Sequence, residues 1–546
     1  MEEIAVSLVL LAAVVISGSL SRLSPLPIPL PLIQIALGAV LAATTDLKVV
    51  LDPHVFFLLF LPPLLFLDGW RIPKEGLFRD KGTILELALG LVVFTVLGVG
   101  LFIHALIPAM PLAVAFALAA IVSPTDPIAV SAIAKRSPIP KRLMHILEGE
   151  SLLNDASGLV CMQFAVAAAI TGSFFLPDAF LTFLRLALGG VAIGFGITWC
   201  ITWAKAYAAR RLGEEPGTQI LISLLIPFAA YLLAEELHCS GILAAVAAGI
   251  TMSYAEQTGQ SLAVTRVRRT AVWDTMQLAL NGIIFVVLGE QLPSIVAGAA
   301  RVVQETGHYH PAWLIIYVLA INAALALLRF VWVWVSLRFT MFREARAGRA
   351  FNKPGWRLIA VTSLAGVRGA ITLAGVMTLP LMMADGVPFP ARDLAIFLAA
   401  GVIIVSLIAA SIGLPLLLRG LELPPEASHE QQEDHARSAA AEAAIKAVEQ
   451  LQHSMGEGKA DADVYADLGA RLMETYRNRI DSLTKTGEDG VQVRKLNEIE
   501  RTLRLAALRA ERGELYRLGR AGELPDELVR KLVREVDLVE ARYVTT

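Results

Sequence analysis

The sequence predicts an all-α polytopic membrane protein of about thirteen transmembrane helices, followed by a soluble helical tail. Apolar residues make up 56% of the 546 residues, and the mean hydropathy is +0.62, which is typical of a chain embedded in a bilayer. Charge is divided unevenly, since residues 1–421 contain 28 Lys and Arg against 24 Asp and Glu, whereas residues 422–546 contain 19 against 25. Two apolar spans are also interrupted, each by a charged residue beside proline or glycine.

Thirteen segments approach the roughly 20 apolar residues that a transmembrane helix needs. The second is proline-rich and the ninth is short. The spans lie at about 4–21, 27–44, 53–68, 82–107, 111–134, 143–171, 179–204, 217–237, 240–255, 270–292, 312–337, 357–384 and 391–418. Because the number is odd, we expect the two termini on opposite sides of the membrane.

Positive charge in the loops predicts the orientation. One set of alternate loops contains 21 Lys and Arg residues and the other set contains three. Loops rich in Lys and Arg stay in the cytoplasm. We therefore expect a multi-pass protein of the cell inner (plasma) membrane, with its N-terminus outside and its tail in the cytoplasm.

The tail differs in composition from the spans. Beyond residue 421, Ala, Glu, Arg and Leu dominate, and helical patterns fill about 427–454, 460–484, 492–519 and 525–542. This predicts a transmembrane domain over 1–421 and a cytoplasmic helical C-terminal domain over 422–546. Two interpretations of the tail stay open: a small helical bundle or dimer contact, and a regulatory sensor.

The polar stretch 148–158 runs directly into the uncharged segment 159–170. If this is one helix, its polar end lies in hydrocarbon, where ionisable side chains are costly and usually functional. At about 100° per residue, Ser151 and Asp155 share one face, while Glu150 and Asn154 share a neighbouring one. A carboxylate, an amide and a hydroxyl at membrane depth predict an oxygen-rich site for a proton or a small hard cation.

Span five contains Pro124, Thr125, Asp126 and Pro127 inside an apolar run. Each proline lacks a backbone donor and disfavours helix before it, so we expect the helix to break near Thr125 and to free carbonyls beside Asp126. Unwound backbone at this depth must be buried in protein or line a wet cavity. A proline kink without function is the alternative, but it does not require the aspartate.

Span twelve places Arg368 between Gly366 and Gly369. The glycines permit close helix contact or local unwinding. Arg368 lies too deep to reach the headgroups, so we expect it to pair with a carboxylate, and Glu150 is the candidate. Spans five and twelve are each the fifth of a six-span half. Broken helices in corresponding positions of inverted repeats indicate the binding site of a secondary transporter.

The remaining intramembrane polar residues give weaker signals. Asp68 ends an apolar run, where it either faces a cytoplasmic funnel or lies among the headgroups. We interpret Asn281 as an interhelical hydrogen-bonding residue rather than a ligand. Asp274 and Arg329 are interpreted as residues near span ends or in local pairs.

Four motifs resemble those of Na⁺/H⁺ exchangers of the first monovalent cation:proton antiporter family, in its bacterial NhaP-type branch. A fifth, weaker match is Leu280-Asn281-Gly282-Ile283-Ile284-Phe285. The four are Leu61-Pro62-Pro63-Leu64-Leu65-Phe66, Thr125-Asp126-Pro127, Gly149-Glu150-Ser151-Leu152-Leu153-Asn154-Asp155 and Gly366-Val367-Arg368-Gly369-Ala370. The Asn154-Asp155 pair resembles the electroneutral branch, because electrogenic relatives have Asp-Asp there.

The resemblance implies a homodimer of thirteen-span protomers with an NhaA/NhaP-like fold, in which a six-helix core moves against a dimerisation domain. It implies that Asp155 carries the cation and the proton in turn. The other implied site residues are Asp126, Thr125, Ser151 and Asn154, with Asp68 bordering them, and Glu150 with Arg368 as a structural ion pair. No cofactor and no nucleic-acid partner are expected; the transported Na⁺, Li⁺ or K⁺ is cargo.

The mechanism predicted from these residues is competition for one buried carboxylate. Burial favours the protonated acid and a bound cation favours the carboxylate, so Asp155 holds a proton or a cation but never both. Exchange would serve pH or salt homeostasis.

A K⁺/H⁺ antiporter, regulated by pH or by the tail, is the nearest alternative, and a Na⁺-coupled organic-anion symporter is more remote. A channel would require a filter-like carbonyl repeat, and an enzyme would require a nucleophile–base set or a phosphate loop. The sequence contains none of these patterns.

Overall fold

The computed structural model describes fifteen stretches of the chain. They are residues 2–24, 28–45, 53–72, 81–127, 130, 141–171, 176–257, 262–305, 312–346, 356–383, 386–419, 429–456, 462–484, 488–521 and 523–544. Within these stretches the regular structure is helical, apart from one isolated β-bridge between Met382 and Pro388. The prediction of an all-α protein is confirmed. The chain divides into two compact units, Met1–Leu421 and Glu422–Thr546.

The first unit contains apolar helices of very different lengths. In chain order they are α1 (Glu2–Leu23), α2 (Leu30–Thr44), α3 (Pro53–Arg71), α4 (Lys81–Leu85), the π-helical segment Glu86–Leu91, α5 (Val92–Leu106), α6 (Leu112–Val122), α7 (Lys141–Thr171), α8 (Leu176–Leu212), α9 (Pro216–Glu236), α10 (Gly241–Gln257), α11 (Ala263–Glu305), α12 (Ala312–Arg346), α13 (Trp356–Leu364), α14 (Ala370–Met377) and α15 (Arg392–Leu418). Among the described residues, eight helices are long and apolar enough to cross a membrane, and three apolar helices are shorter. The count of thirteen spans stays a prediction.

These helices pack as two groups. The core bundle consists of α4 to α7 and α12 to α15, with the π-helical segment. The scaffold bundle consists of α1 to α3 and α8 to α11, in which α2 packs along α11 and α3 along α10. The bundles touch mainly where α11 meets α15 and where α3 and α11 meet α14, and to a smaller extent where α7 meets α3 and α10 and where α11 meets α12. Any group on α3, α11 or α14 at this contact can therefore face both bundles.

Both predicted helix breaks are present, and they meet inside the core bundle. The first lies at residues 123–126, after α6 ends at Val122, and the second separates Leu364 from Ala370. The backbone N–H of Asp126 donates to the carbonyl of Val367 at 2.7 Å. Unwound backbone in the membrane must form its hydrogen bonds within the protein. This bond between the two breaks gives the Asp126 N–H and the Val367 carbonyl a partner each.

The π-helical segment Glu86–Leu91 faces the helix that carries the polar stretch. Segments of this kind are often associated with functional sites. The Ser157 hydroxyl of α7 lies 2.8 Å from the Ala88 carbonyl and 3.0 Å from the Asn154 carbonyl. This contact holds the π-helical segment against α7, two residues beyond Asp155.

The second unit consists of four helices, in agreement with the helical patterns of the tail. They are α16 (His429–Gly456), α17 (Ala462–Thr484), α18 (Glu488–Arg520) and α19 (Asp526–Val544). On α19, Val529, Val533 and Val536 are buried. Arg512 of α18 pairs with Asp537 at 3.0 Å and also with Glu540. The role of this unit stays a prediction.

Candidate functional site

A small cavity lies between the two bundles, next to the crossing of the breaks. Its volume is about 20 Å³, which holds roughly one water-sized sphere. The core bundle lines it with Asp126, Ser151 and Asp155, and the scaffold bundle with Asp68 from α3. A guest of this size is a single water molecule or a cation without its hydration shell.

Helix α7 positions the two most buried polar groups of the cavity. It is one continuous helix, as predicted, so Ser151 and Asp155 lie one turn apart on the same face. Their exposed fractions are 5% and 4%. The carboxylate of Asp155 is therefore almost completely removed from bulk water, yet it borders a space into which a small ion fits.

Asp126 reaches the cavity because the first break exposes it and the second break makes room for it. Its carboxylate lies against Gly369, the residue before α14, so closely that any side chain at position 369 would overlap it. The first peptide groups of α14 lie beside this carboxylate, and the N-terminal end of a helix favours negative charge. Gly369 is thus required by space, since its φ of −130° is open to other residues.

Behind the cavity, Thr125 and Asn154 belong to a hydrogen-bonded network rather than to the cavity wall. The Asn154 side-chain amide donates to the Thr125 hydroxyl at 3.1 Å, and that hydroxyl donates to Glu150 at 3.3 Å. Glu150 is completely buried and accepts two bonds from the Arg329 guanidinium, at 2.5 and 2.8 Å. Two parallel bonds of this kind are the strongest geometry for an arginine–carboxylate pair.

Arg368 is buried at the second break and donates to backbone rather than to a carboxylate. Its Nε donates to the Val122 carbonyl at 2.9 Å, and its Nη1 donates to the Gly366 carbonyl. Val122 ends α6, and Gly366 lies between α13 and α14, so both carbonyls lack helical partners because of the breaks. Arg368 therefore stabilises the ends of both broken helices.

The charge around the cavity is negative. Asp68, Asp126 and Asp155 all face it, and none of the described residues that line it is Lys or Arg. Like charges at such close range in a poorly hydrated site repel one another strongly. The empty, fully ionised site is unfavourable, and a proton or a cation relieves the repulsion.

Comparison with known proteins agrees with this geometry. The family model described as the transmembrane sodium/hydrogen exchanger matches residues 9–420. The chain is 41% identical over 542 residues to the Na(+)/H(+) exchanger YjcE of Escherichia coli (strain K12), covering 98% of both chains. The chain belongs to the sodium/hydrogen exchanger family. It is accordingly a multi-pass membrane transporter, not an enzyme.

Two other comparisons extend the family assignment. The chain is 39% identical to a sodium, potassium, lithium and rubidium/H(+) antiporter of Bacillus pumilus (strain SAFR-032), covering 95% of this chain and 74% of the relative. Among solved structures, the sodium proton antiporter MjNhaP1 of Methanocaldococcus jannaschii has a TM-score of 0.58 at 18% identity, covering 77% of this chain and 99% of the other. This match supports the NhaP-like fold of the exchanger.

Four of the six residues predicted to bind cation or proton in this exchanger border the cavity. They are Asp155, Asp126, Ser151 and Asp68. Asp68 had two interpretations, and the structure places it at the cavity rather than among headgroups alone. The side chains of Thr125 and Asn154 lie one layer behind. The transport roles of all six stay predictions.

The predicted pairing of Glu150 with Arg368 is wrong. Glu150 pairs with Arg329, which reaches it from α12, and Arg368 is engaged by the carbonyls of the broken helices. The interpretation of Arg329 as a local or end-of-span residue is therefore also wrong. The signal that could have identified it is a charge inside the otherwise apolar span 312–337.

Sequence reasoning also missed the contribution of α11 to the cavity. Gln277 and Asn281 both line it, although Asn281 was interpreted only as an interhelical hydrogen-bonding residue. The available signal was their spacing of four residues, which places both amides on one face of a membrane helix.

Proposed function

We propose that this protein exchanges one monovalent cation for one proton, with Na⁺ as the main substrate and Li⁺ and K⁺ as further ones. Asp155 is the shared carrier, and Asp126 and Ser151 complete its ligands on the core bundle. The observation that carries this proposal is the position of Asp155, 4% exposed at a cavity of about 20 Å³ that a second carboxylate also borders.

Competition follows from the size and charge of the cavity. A volume that holds roughly one water-sized sphere has no room for a hydrated cation. A dehydrated Na⁺ requires the carboxylate oxygens of Asp155 and Asp126 as ligands, and protonation of Asp155 removes the charge that attracts the cation. Unwound backbone and half-helix ends beside such sites are characteristic of transporters that couple ions to protons.

Electroneutral exchange follows from the cost of moving an uncompensated charge. The core bundle changes its exposure to the two sides of the membrane while the site is occupied by a proton or by a cation. An empty site with ionised carboxylates remains where it is, because burying unpaired charge costs several kcal/mol per ion. The ratio is then one cation per proton, and the steeper gradient determines the direction.

Potassium is the second candidate substrate. The Bacillus pumilus relative and one from Bacillus subtilis (strain 168), 37% identical over all of this chain and 78% of that relative, are both named as sodium, potassium, lithium and rubidium/H(+) antiporters. These names support a broad range of alkali cations. A pH- or tail-regulated K⁺/H⁺ antiporter therefore remains the alternative.

The cellular setting is part of the proposal. The excess of Lys and Arg in one set of loops supports an external N-terminus and a cytoplasmic tail in the inner membrane. The resemblance to NhaP-type exchangers supports a homodimer. No cofactor is needed, because the cation is cargo. The tail would serve as a small helical bundle or dimer contact, or as a regulatory sensor.

Asp155→Asn tests the proposal. In everted vesicles the variant should lose exchange to the background level for Na⁺, Li⁺ and K⁺, because an amide neither binds the proton nor carries the charge that the cation needs. The measurement is the dissipation of a pH gradient on adding each cation in turn.

Asp393→Asn is the matched control, since Asp393 is an exposed aspartate at the start of α15, and it should exchange like the wild type. Both variants should elute as folded protein of the same size. Exchange retained by Asp155→Asn would remove Asp155 from its role.

A further inference from the structure

The cavity has a second wall that the exchange mechanism above does not use. Gln277 and Asn281 lie one turn apart on α11 of the scaffold bundle and border the same space as Asp126 and Asp155. Among the described residues, the Asn281 carboxamide makes no hydrogen bond. A half-buried amide without a partner, facing two carboxylates, is available to a guest in the cavity.

Gln277 is held in one orientation from outside the cavity. Its Oε1 accepts a hydrogen bond from Arg71 Nη1 at 2.8 Å, and the other end of that guanidinium pairs with Asp274, three residues earlier on α11. Arg71 itself follows Asp68 on α3 by one turn. Because the oxygen of Gln277 is engaged by Arg71, its NH₂ group is the end left to donate toward the carboxylates.

The core bundle alone supplies few ligands to a dehydrated cation. It offers two carboxylates and the Ser151 hydroxyl at the cavity, whereas the Thr125 hydroxyl and the Asn154 NH₂ group are engaged with each other and with Glu150. The Asn154 Oδ1 is buried without a hydrogen bond, but Asn154 does not line the cavity. Selection among alkali cations depends on the number and field strength of the neutral dipoles that replace their hydration shell. A single added amide oxygen therefore changes which cation fits best.

We propose that Asn281 is a cation ligand on the scaffold side and that Gln277, positioned by Arg71, donates to the empty carboxylates. Together the two amides determine the choice among Na⁺, Li⁺ and K⁺. The inference rests on the proposed exchange function. The proposed ligands are divided between the two bundles. The selective site is therefore complete only while the core and scaffold bundles are in contact as in this structure.

Asn281→Ala and Asn281→Asp test the ligand role in proteoliposomes. Removing the neutral oxygen should change the ratio of the apparent KM values for K⁺ and Na⁺ by at least fivefold, and replacing it with a carboxylate should move that ratio in favour of Na⁺, because a charged oxygen has the stronger field. The ratio of KM values is the readout, because loss of the Asp155 carrier would instead abolish the exchange of every cation.

Leu278→Ala is the matched control, because Leu278 is on the same helix but 52% exposed; its KM ratio should equal that of the wild type. A merely structural role of Asn281 would lower yield, thermal stability and all three rates together. Equal KM changes for all three cations, or none, would overturn the ligand role. Asp155→Asn in the same assay separates the two proposals, since its retained exchange would refute the exchange mechanism itself.

A double-mutant cycle tests the positioning role of Arg71. If Arg71 acts through Gln277, then Arg71→Gln, Gln277→Ala and the double variant should all lower the apparent KM for Na⁺ at high pH by the same factor. Each change removes the donor that stabilises the cation-free carboxylates, and the second change has nothing left to remove. Independent roles would instead multiply the two factors. Multiplied factors, or an unchanged KM for Gln277→Ala, would overturn the assignment.

Discussion

The two helix breaks lie in corresponding positions, yet they use their charged residues in different ways. The first break directs Asp126 into the cavity. The second directs Arg368 back onto carbonyls that the breaks themselves have freed. One break therefore supplies charge to the ion, and the other stabilises the broken backbone. Two opposite charges at a helix crossing are therefore not necessarily an ion pair.

The Glu150–Arg329 pair connects the two breaks. Thr125 of the first break donates to Glu150, and the Nε of Arg329 donates to the Thr362 carbonyl, just before the second break, at 3.1 Å. Arg329 also packs against Gly366, where an added methyl carbon would come within 2.9 Å of its side chain. The crossing is thus held by a buried charge pair that does not reach the cavity.

The largest expected effect comes from breaking this connection. Arg329→Gln leaves Glu150 as an unpaired charge at 0% exposure, and removing one partner of a buried pair costs about 3–5 kcal/mol. We expect low yield and a greatly lowered Tm in detergent. Glu150→Gln combined with Arg329→Gln should recover part of the Tm, because no unpaired charge remains.

Arg368→Gln is the comparison variant for this prediction. It removes a cation whose side-chain hydrogen bonds, among the described residues, go to backbone carbonyls, so it should lower the Tm less than Arg329→Gln. If Arg368→Gln proved the more destabilising of the two, or if Glu150→Gln rescued it, then Glu150 and Arg368 would be the pair that holds the crossing.

Gly369→Ala should have the second largest effect, and mainly on transport. The new methyl group overlaps the Asp126 carboxylate, which must then leave its place at the cavity. Exchange at low Na⁺ should fall at least tenfold through a raised apparent KM, with a smaller decrease in Tm than that of Arg329→Gln. Gly196→Ala is the control, because a methyl carbon there would meet no described atom within 4 Å apart from its chain neighbours and the backbone of its own helix. An unchanged KM would mean that Asp126 is not a ligand.

The sequence alone predicted the parts of this site that depend on one stretch of chain. Both breaks follow from proline and glycine beside a charge, and the shared face of Ser151 and Asp155 follows from helical periodicity. The assignment of charge partners failed because it depends on which helices lie side by side. Arg329 is 179 residues from Glu150, and only the packing of α12 with α5, α13 and α15 inside the core bundle brings them together.

The missed amides have the same explanation. Asn281 and Gln277 belong to a helix that packs mainly against α2 in the scaffold bundle, so their spacing identifies a polar face but not what it faces. The environment of Asp68 could not be predicted from its own span, because a residue at the end of a span can face either headgroups or a cavity. Its neighbours on α11 and α14, absent from its own local sequence, decide between these environments.

The smallest effect is expected for Arg368→Lys, which tests whether the charge of the second break acts on the backbone alone. Lysine keeps the positive charge but lacks the planar fork that donates to the Val122 and Gly366 carbonyls together. Loss of one such hydrogen bond to a charged group costs about 1.5–3 kcal/mol, which should appear as a decrease in Tm smaller than that of Arg329→Gln. The apparent KM for Na⁺ should not change, since the side chain does not line the cavity. A KM increase comparable to that of Gly369→Ala would contradict this division, because it would mean that the charge of the second break also acts on the ion.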